Sequence, residues 1–577
     1  MPDDDQQRTL IGTPPTRCAG PSEAEEFHLA ADSETFAALE RALSPDEGPN
    51  SDEGERGAFA VITQSRGHRR VTYNVQDVVM PEDGDIWYAG LDPSIEPGAL
   101  TSDDVDELID TQDVGLQYSA AYRRRARQAA AAVDGGGLLI AHTHPWGAAV
   151  PNKVDQAVAR RDLYGPAQEL DVDAPLAALL YSESESWHAR AIEMDVARTQ
   201  AQRDHDGFGP HTAVETPATA IRVVGPRFEK IRTVATAEKM GPAGVDGEID
   251  PELVDSSRRL WGLDGQETLA GLRVGVTGSG GGGSILAEWL ARLGVGEIVL
   301  VDYDRLEPAN FNRHQGARPE DIEHERLKVR VSGRIAQRSA TASNFEVTPV
   351  VGSLVEADRE QFDPLPALLD CDVIINASDM DWGRNVLDDL GFAHLIPVFD
   401  GGSSLATDED GVLTDESYST VSLSVPGGVC LRCADVWTQD GVDEDMEHDQ
   451  SIGYVDEDSE ANDEPGGRAP SVVSLNGLVE SLVVQRFQAV VLGVAPELTT
   501  GALRYYPSNA SPQWRLGPDG EIADCLDSCD RPALTGGGEA AFESTYRYRD
   551  PVLSSALEDG DLTDQHGGIV SPVEDPE

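Results

Sequence analysis

The chain has 577 residues, with 104 Asp and Glu against 44 Lys and Arg, a formal charge of −60 and a pI near 4.3. That balance argues against binding along a nucleic-acid backbone, and acids spread over the whole length with few lysines read as the solvated surface of a halophilic protein. No apolar run approaches the roughly 18 residues that span a bilayer, and the acidic N-terminus lacks a signal-peptide pattern, so no membrane partner and a cytoplasmic location are expected.

In chain order, residues 1–26 are polar and aperiodic and read as a disordered acidic arm. Residues 27–43 start as a strand and continue as a helix, and 44–54 form an acidic interruption. Residues 58–62 and 71–75 read as neighbouring strands joined by a polar turn. The spacing predicts a helix over 116–133, ending at Gly135-Gly136-Gly137. A strand over 138–141 then delivers His142-Thr143-His144-Pro145. Two histidines at i and i+2 on an extended segment face the same way. Asp155, at the start of a helical stretch, can supply a third ligand and leave the fourth tetrahedral position for water. From 225 to 255 the pattern loosens into a linker.

The run 272–277 is short and apolar, as a buried parallel strand should be. Gly278-Ser279-Gly280-Gly281-Gly282-Gly283-Ser284 follows, then a helix with Ile285, Leu286, Trp289, Leu290 and Leu293 on one face. A glycine-rich turn between strand and helix lets backbone amides approach a pyrophosphate and aims a helix N-terminus at it. The next strand, 298–301, ends at Asp302, the spacing of a carboxylate that accepts from ribose hydroxyls. Farther on, 398–402 continues the sheet, 440–467 is an acidic insertion without apolar periodicity, and 474–492 is a closing helix. Cys371 reads as core and Cys18 as part of the arm, and 533–577 reads as an acidic disordered tail.

The stretch Val301-Asp302-Tyr303-Asp304-Arg305-Leu306-Glu307-Pro308-Ala309-Asn310-Phe311-Asn312-Arg313-His314 resembles the D-x-D-x-(V/L)-E-x-S-N-L-x-R-Q signature of the ThiF/MoeB and ubiquitin-activating enzyme superfamily. Residues 259–266 resemble its R-L-W-G-x-x-G-Q opening segment, with Ser256 where the family has an arginine. Residues 372–379 resemble the strand that ends in its magnesium-binding aspartate, here Asp379, followed by Arg384-Asn385. The resemblance implies a Rossmann-like domain with a mainly parallel sheet over 256–532. Such a domain uses ATP and Mg2+ to adenylate the C-terminal carboxylate of a ubiquitin-like or sulfur-carrier protein ending in di-glycine. It implies that Gly278, Gly280, Gly281 and Gly283 cradle phosphates and that Asp302 and Asp304 hold the nucleoside. Asn310, Arg313 and Lys328 would neutralise charge around the α-phosphate. It further implies a structural Zn2+ on Cys430, Cys433, Cys525 and Cys529, with a disulfide arrangement as the alternative. The acidic insertion would be a loop crossing over the substrate tail, and the domain would form a homodimer. Residues 434–524 hold no cysteine for a thioester, so the adenylate would pass to a sulfur donor, a conjugating-type enzyme or an amine.

The array H-x-H-P-x6-(S)-x-x-D resembles the JAMM/MPN metallo-isopeptidases. It implies a cytidine-deaminase-like α/β domain over 27–224 with a catalytic Zn2+ on His142, His144 and Asp155, and with Asn152 where serine is usual. Glu55 would activate the zinc water, with Glu53 as the fallback. The expected protein is therefore a two-headed enzyme that cleaves after a di-glycine tail and adenylates it. The alternatives are adenylation of a peptide or small-molecule carboxylate in a biosynthetic or defence pathway, and a non-catalytic module that binds ubiquitin-like tails.

Overall fold

The computed structural model describes residues 17–44, 55–89, 115–144, 149–151, 153–171, 173–182, 186–194, 213–234, 250–355, 363–408, 412–452, 471–495, 501–515, 525, 529–546 and 568–569. In the first half, strands β1 (Glu26–Asp32), β2 (Gly57–Arg66), β3 (Arg70–Val79), β6 (Gly137–His144), β7 (Leu176–Ser182), β8 (Ser186–Met194), β9 (Ala213–Pro217), β10 (Ala220–Val224) and β11 (Phe228–Arg232) form one mixed sheet. Its order is β11-β10-β1-β3-β2-β6-β7-β8-β9. A separate ribbon pairs β4 (Ile86–Ala89) with β5 (Gly115–Tyr118). Helices α1 (Ser33–Leu43), α2 (Ala120–Ala131) and α3 (Lys153–Glu169) accompany this sheet. Asp32 caps α1 by accepting from the amides of Glu34 and Thr35, at 2.9 and 3.1 Å.

Four expectations for this half and its flanks need correction. The helix expected over 116–133 begins only at Ala120, because Gly115–Tyr118 is a strand and Ser119 is the N-cap, its hydroxyl accepting from the Tyr122 amide at 3.0 Å. The expected linker, 225–255, contains β11, which pairs antiparallel with β10 and extends the sheet. The expected arm includes Cys18, which is buried against the first sheet's core, its amide bonded to the Gly67 carbonyl at 2.9 Å. The expected tail contains α10 (Gly538–Tyr546), with Phe542 buried. Residues 1–16 lie outside the described residues.

The second half is a doubly wound sheet of order β19-β18-β17-β16-β15-β12-β13-β14-β20. Strands β12 (Arg273–Thr277), β13 (Glu297–Val301), β14 (Glu346–Val351), β15 (Val373–Asn376) and β16 (Val398–Ser404) run parallel. Strands β17 (Tyr418–Ser424), β18 (Gly501–Tyr506) and β19 (Ser511–Arg515) follow antiparallel, and β20 (Gly568–Ile569) pairs with β14. Strands β12, β13 and β15 are buried along their whole length, which is why they read as largely apolar runs. Helices α4 (Asp255–Ala270), α5 (Gly281–Leu293), α6 (Lys328–Ser339), α7 (Asp381–Ala393), α8 (Gln439–Ile452) and α9 (Val473–Leu492) accompany this sheet. The expected aperiodic insertion is thus partly helical, in α8, while 453–470 lies outside the described residues. Chain order runs outward in both directions from β12, so the switch point falls at its C-terminal end, where doubly wound sheets bind ligands.

The two halves share a core: Ala30, Val224 and Phe228 pack into the same apolar cluster as Leu286, Phe399 and Phe487. They also share a buried charge network. Asp372, fully buried, accepts from Arg70 Nη1 and Lys230 Nζ, both at 2.9 Å. Burial alone would raise its carboxyl, but Arg70, Lys230 and Arg222 hold it well below the usual range. Asp370 accepts from the amides of Arg69 and Arg70 at 3.1 and 2.8 Å. Across the same junction, Glu539 of α10 takes the Arg66 guanidinium at 2.9 Å, and Ser65 Oγ lies 2.7 Å from His394 Nδ1.

Candidate functional site

The C-terminal ends of β12, β13, β15 and β16 surround a cavity of about 500 Å3. Its floor is the turn from β12 into α5. Gly278 has φ +86°, a left-handed conformation that favours glycine, and a Cβ there would lie 2.9 Å from the Ser378 amide. A Cβ on Gly283 would lie 1.8 Å from the Gly278 carbonyl oxygen, so the turn closes only around glycine. The first turn of α5 is left open to a ligand, with the positive end of the helix dipole behind it. Asp302 fastens the loop to β13, accepting from the amides of Ser279 and Asp304 at 2.6 and 2.7 Å. Burial and the neighbouring Asp304 raise its carboxyl to about 6, against the pull of Lys328.

Lys328, at the first position of α6, donates to Asp304 at 2.5 Å and so stands at the cavity wall. Asn310 Oδ1 accepts from the Glu307 amide at 2.9 Å, which turns its amide N–H groups free of that cap. Arg313 passes over α5: a Cβ on Gly281 would lie 3.3 Å from its Cδ. Asp379, exposed at the rim, has its main-chain carbonyl held by Arg384 Nη1 at 3.0 Å. Gly278, Gly280, Gly281, Asp302, Asp304, Asn310, Arg313, Lys328 and Asp379 all line this one cavity, whereas Gly283 acts through the turn behind it. Arg258 and Arg259 instead pair with Asp255, at 3.0 and 2.6 Å, and Gln266 caps α5 by donating to the Leu293 carbonyl at 2.7 Å.

Sequence reasoning missed the opposite wall. Helix α9 contributes Asn476 and Glu480, and Glu480 is buried against the start of α5. Burial and the nearby Asp400 raise its carboxyl well above the usual range. Its Oε2 and Asp400 Oδ2 are buried without hydrogen-bond partners. The sequence signal was a carboxylate set among the valines and leucines of a mostly apolar helix.

Residues 254–515 match the sequence profile of the ThiF family. The chain is 31% identical over 173 residues to the SAMP-activating enzyme E1 of Haloferax volcanii, covering 30% of this chain and 56% of that one. The sulfur carrier protein ThiS adenylyltransferase of Bacillus subtilis is 28% identical over 173 residues, covering 30% and 46%. Ubiquitin-like modifier-activating enzyme 5 of Branchiostoma floridae is 33% identical over 111 residues, covering 17% and 27%. The chain thus spans about a quarter to a little over half of the length of these relatives. Among solved structures, E. coli MccB with MccA-N7isoASN aligns over 49% of this chain and 77% of that one at 15% identity and a TM-score of 0.37, too loose to bear on function.

Two further side-chain clusters could hold a metal. Beside the second sheet, the sulfurs of Cys430, Cys433, Cys525 and Cys529 lie within 4.8 Å of one another, with Cys430 and Cys529 Sγ 3.7 Å apart. Backbone amides of Cys430 and Cys433 point at Cys525 and Cys430 Sγ, at 3.3 and 3.4 Å. Donors aimed at sulfur favour thiolates, so this set fits zinc. In the first half, Nε2 of His142 and of His144 lie 3.4 and 3.2 Å from the two Asp155 carboxylate oxygens. His142 Nε2 is buried without a hydrogen bond, as a nitrogen meant for a metal would be. Strand pairing sets Gly57 opposite His142, which brings Glu55 to the neighbourhood of His144, and its charge raises the His144 imidazole alongside that of Asp155, against burial. Asn152 and Glu53 lie outside the described residues.

Proposed function

We propose that the ThiF domain uses ATP and Mg2+ to adenylate the C-terminal carboxylate of a ubiquitin-like or sulfur-carrier protein. The observation that carries this reading is the single cavity where a glycine turn, a helix N-terminus, Asp302, Arg313, Lys328 and Asp379 converge at the switch point of the sheet. In this reading the open first turn of α5 takes the phosphates and Asp302 accepts from the ribose. Asn310, Arg313 and Lys328 offset the charge that builds on the α-phosphate as the carboxylate attacks and pyrophosphate leaves. Asp379 would hold Mg2+, which lowers the repulsion between carboxylate and triphosphate. The relatives named for activating a ubiquitin-like modifier, a SAMP or ThiS support a protein carrier as substrate. A homodimer, and a sulfur donor or conjugating-type enzyme as the next acceptor, belong to the same proposal.

Trapping tests it. Incubation with ATP, Mg2+, hydroxylamine and a carrier ending in Gly-Gly is expected to convert the carrier's terminal carboxylate to a hydroxamate, read by mass spectrometry. A carrier that stays unmodified while the enzyme binds ATP would remove the protein-carrier reading.

A second reading concerns the first half, and the convergence of His142, His144 and Asp155 favours it. These three would hold a Zn2+ that, when bound, supplies Lewis acidity for peptide or isopeptide hydrolysis, with Glu55 placed to take a proton. Elemental analysis is expected to find two zinc ions per chain, one lost in His142→Ala and the other in Cys430→Ser. A single ion unaffected by His142→Ala would discard this reading.

A further inference from the structure

In a chain of charge −60, helix α2 reverses the sign locally, with four arginines and no acid. Helix α2 carries Arg123, Arg124, Arg125 and Arg127, and α3 carries Arg160 and Arg161. Two of these are held by acids elsewhere: Arg125 by Asp85 at 2.7 Å and Glu82 at 3.7 Å, and Arg160 by Glu215 at 2.9 Å, which also takes Arg190 at 3.0 Å. The other four, Arg123, Arg124, Arg127 and Arg161, line a cavity of about 340 Å3 between the two helices, over Phe59 and Leu138. Among the described residues, the acids paired with these four are Asp162, with Arg123 and Arg161 at 3.1 and 3.0 Å, and Glu169, with Arg127 at 2.7 Å. Four guanidinium groups thus face two carboxylates. The Nε atoms of Arg123 and Arg127 are buried without a hydrogen-bond partner, and a guanidinium left short of acceptors in a cavity is costly.

We propose that this cavity binds a small phosphate-bearing anion, at a site separate from the nucleotide cavity of the ThiF domain. The excess of two positive charges matches a phosphate group, which carries about −1.5 to −2 at pH 7. Guanidinium forks suit phosphate oxygens because two N–H groups meet two oxygens at once. The volume lies at the small end of the roughly 300–1,000 Å3 typical of small-molecule sites, which fits a single phosphorylated metabolite or a free pyrophosphate. Phe59 and Leu138 offer an apolar floor to the organic part of an ester.

The test is calorimetric titration of the full chain at one fixed KCl concentration with two probes, inorganic pyrophosphate and ribose 5-phosphate. Arg313→Ala serves to weaken the nucleotide cavity, so that failure here and failure of the adenylation reading are told apart. The expected result is one equivalent of at least one probe that persists in Arg313→Ala and is lost in the double variant Arg124→Gln, Arg127→Gln. Pyrophosphate as the tighter probe would point to a free anion, and ribose 5-phosphate to an ester. Arg124 is exposed, so Arg124→Gln alone keeps the fold and is expected to weaken binding by about tenfold. Binding that vanishes entirely in Arg313→Ala, or that survives unchanged in the double arginine variant, would overturn the proposal.

Discussion

Gly283 and Asp302 show how single residues hold the proposed nucleotide cavity in shape. Because a Cβ at Gly283 would overlap the Gly278 carbonyl, Gly283→Ala must push α5 off the end of β12. We expect a loss of about 3 kcal/mol in urea denaturation, together with loss of ATP binding. Ionised Asp302 accepts from ribose hydroxyls more strongly than the protonated acid does, and its carboxyl is raised to about 6. Adenosine affinity should therefore fall by up to about tenfold for each pH unit below about 6, and Asp302→Asn should remove the pH dependence, both read by calorimetry. The stability term has the opposite sign: a raised carboxyl stabilises the fold at low pH and loses that contribution as pH rises through about 6. Asp302, Arg313 and Lys328 were legible in the sequence because their signature is local and in fixed order. Glu480 and Asp400 were not, since they meet only when α9 folds across β16, from 80 residues away.

Among the elements, the junction between the two sheets was the part hidden from the sequence. Asp372 read only as the first residue of a strand, yet its partners Arg70 and Lys230 are 302 and 142 residues away. Asp372→Asn leaves Arg70 and Arg222 buried beside a neutral group, and we expect it to cost about 3–5 kcal/mol in chemical denaturation. Glu26, on β1, belongs to the same network. Its carboxyl is held at about 2 by Arg70 and Arg273 despite burial, so its contribution is present above about 4.5 and is lost as pH falls toward about 2. Other elements carried a signal that composition masked. Ser119 offered an N-cap, whereas β11, Phe228-Glu229-Lys230-Ile231-Arg232, has no two-residue apolar alternation to show it, and α10 was hidden in an acidic segment whose Glu539 turns inward to Arg66.

For the whole molecule, the apolar cluster that runs from Ala30 and Phe228 to Phe487 ties both sheets together, so the histidine–aspartate cluster and the nucleotide cavity sit on connected frames. A net charge of −60 opposes that compactness through self-repulsion, which salt screens. The melting temperature is expected to rise by roughly 10 °C or more between about 0.1 M and 2 M KCl, and a flat response in differential scanning calorimetry would show that surface charge is not limiting.

The most direct test of the account is exchange of labelled pyrophosphate into ATP at high salt, with carriers ending in Gly-Gly. The account predicts exchange that requires the carrier and falls by about 100-fold or more in both Asp379→Ala and Arg313→Ala. Folded protein that binds ATP yet catalyses no exchange with any carrier would contradict it.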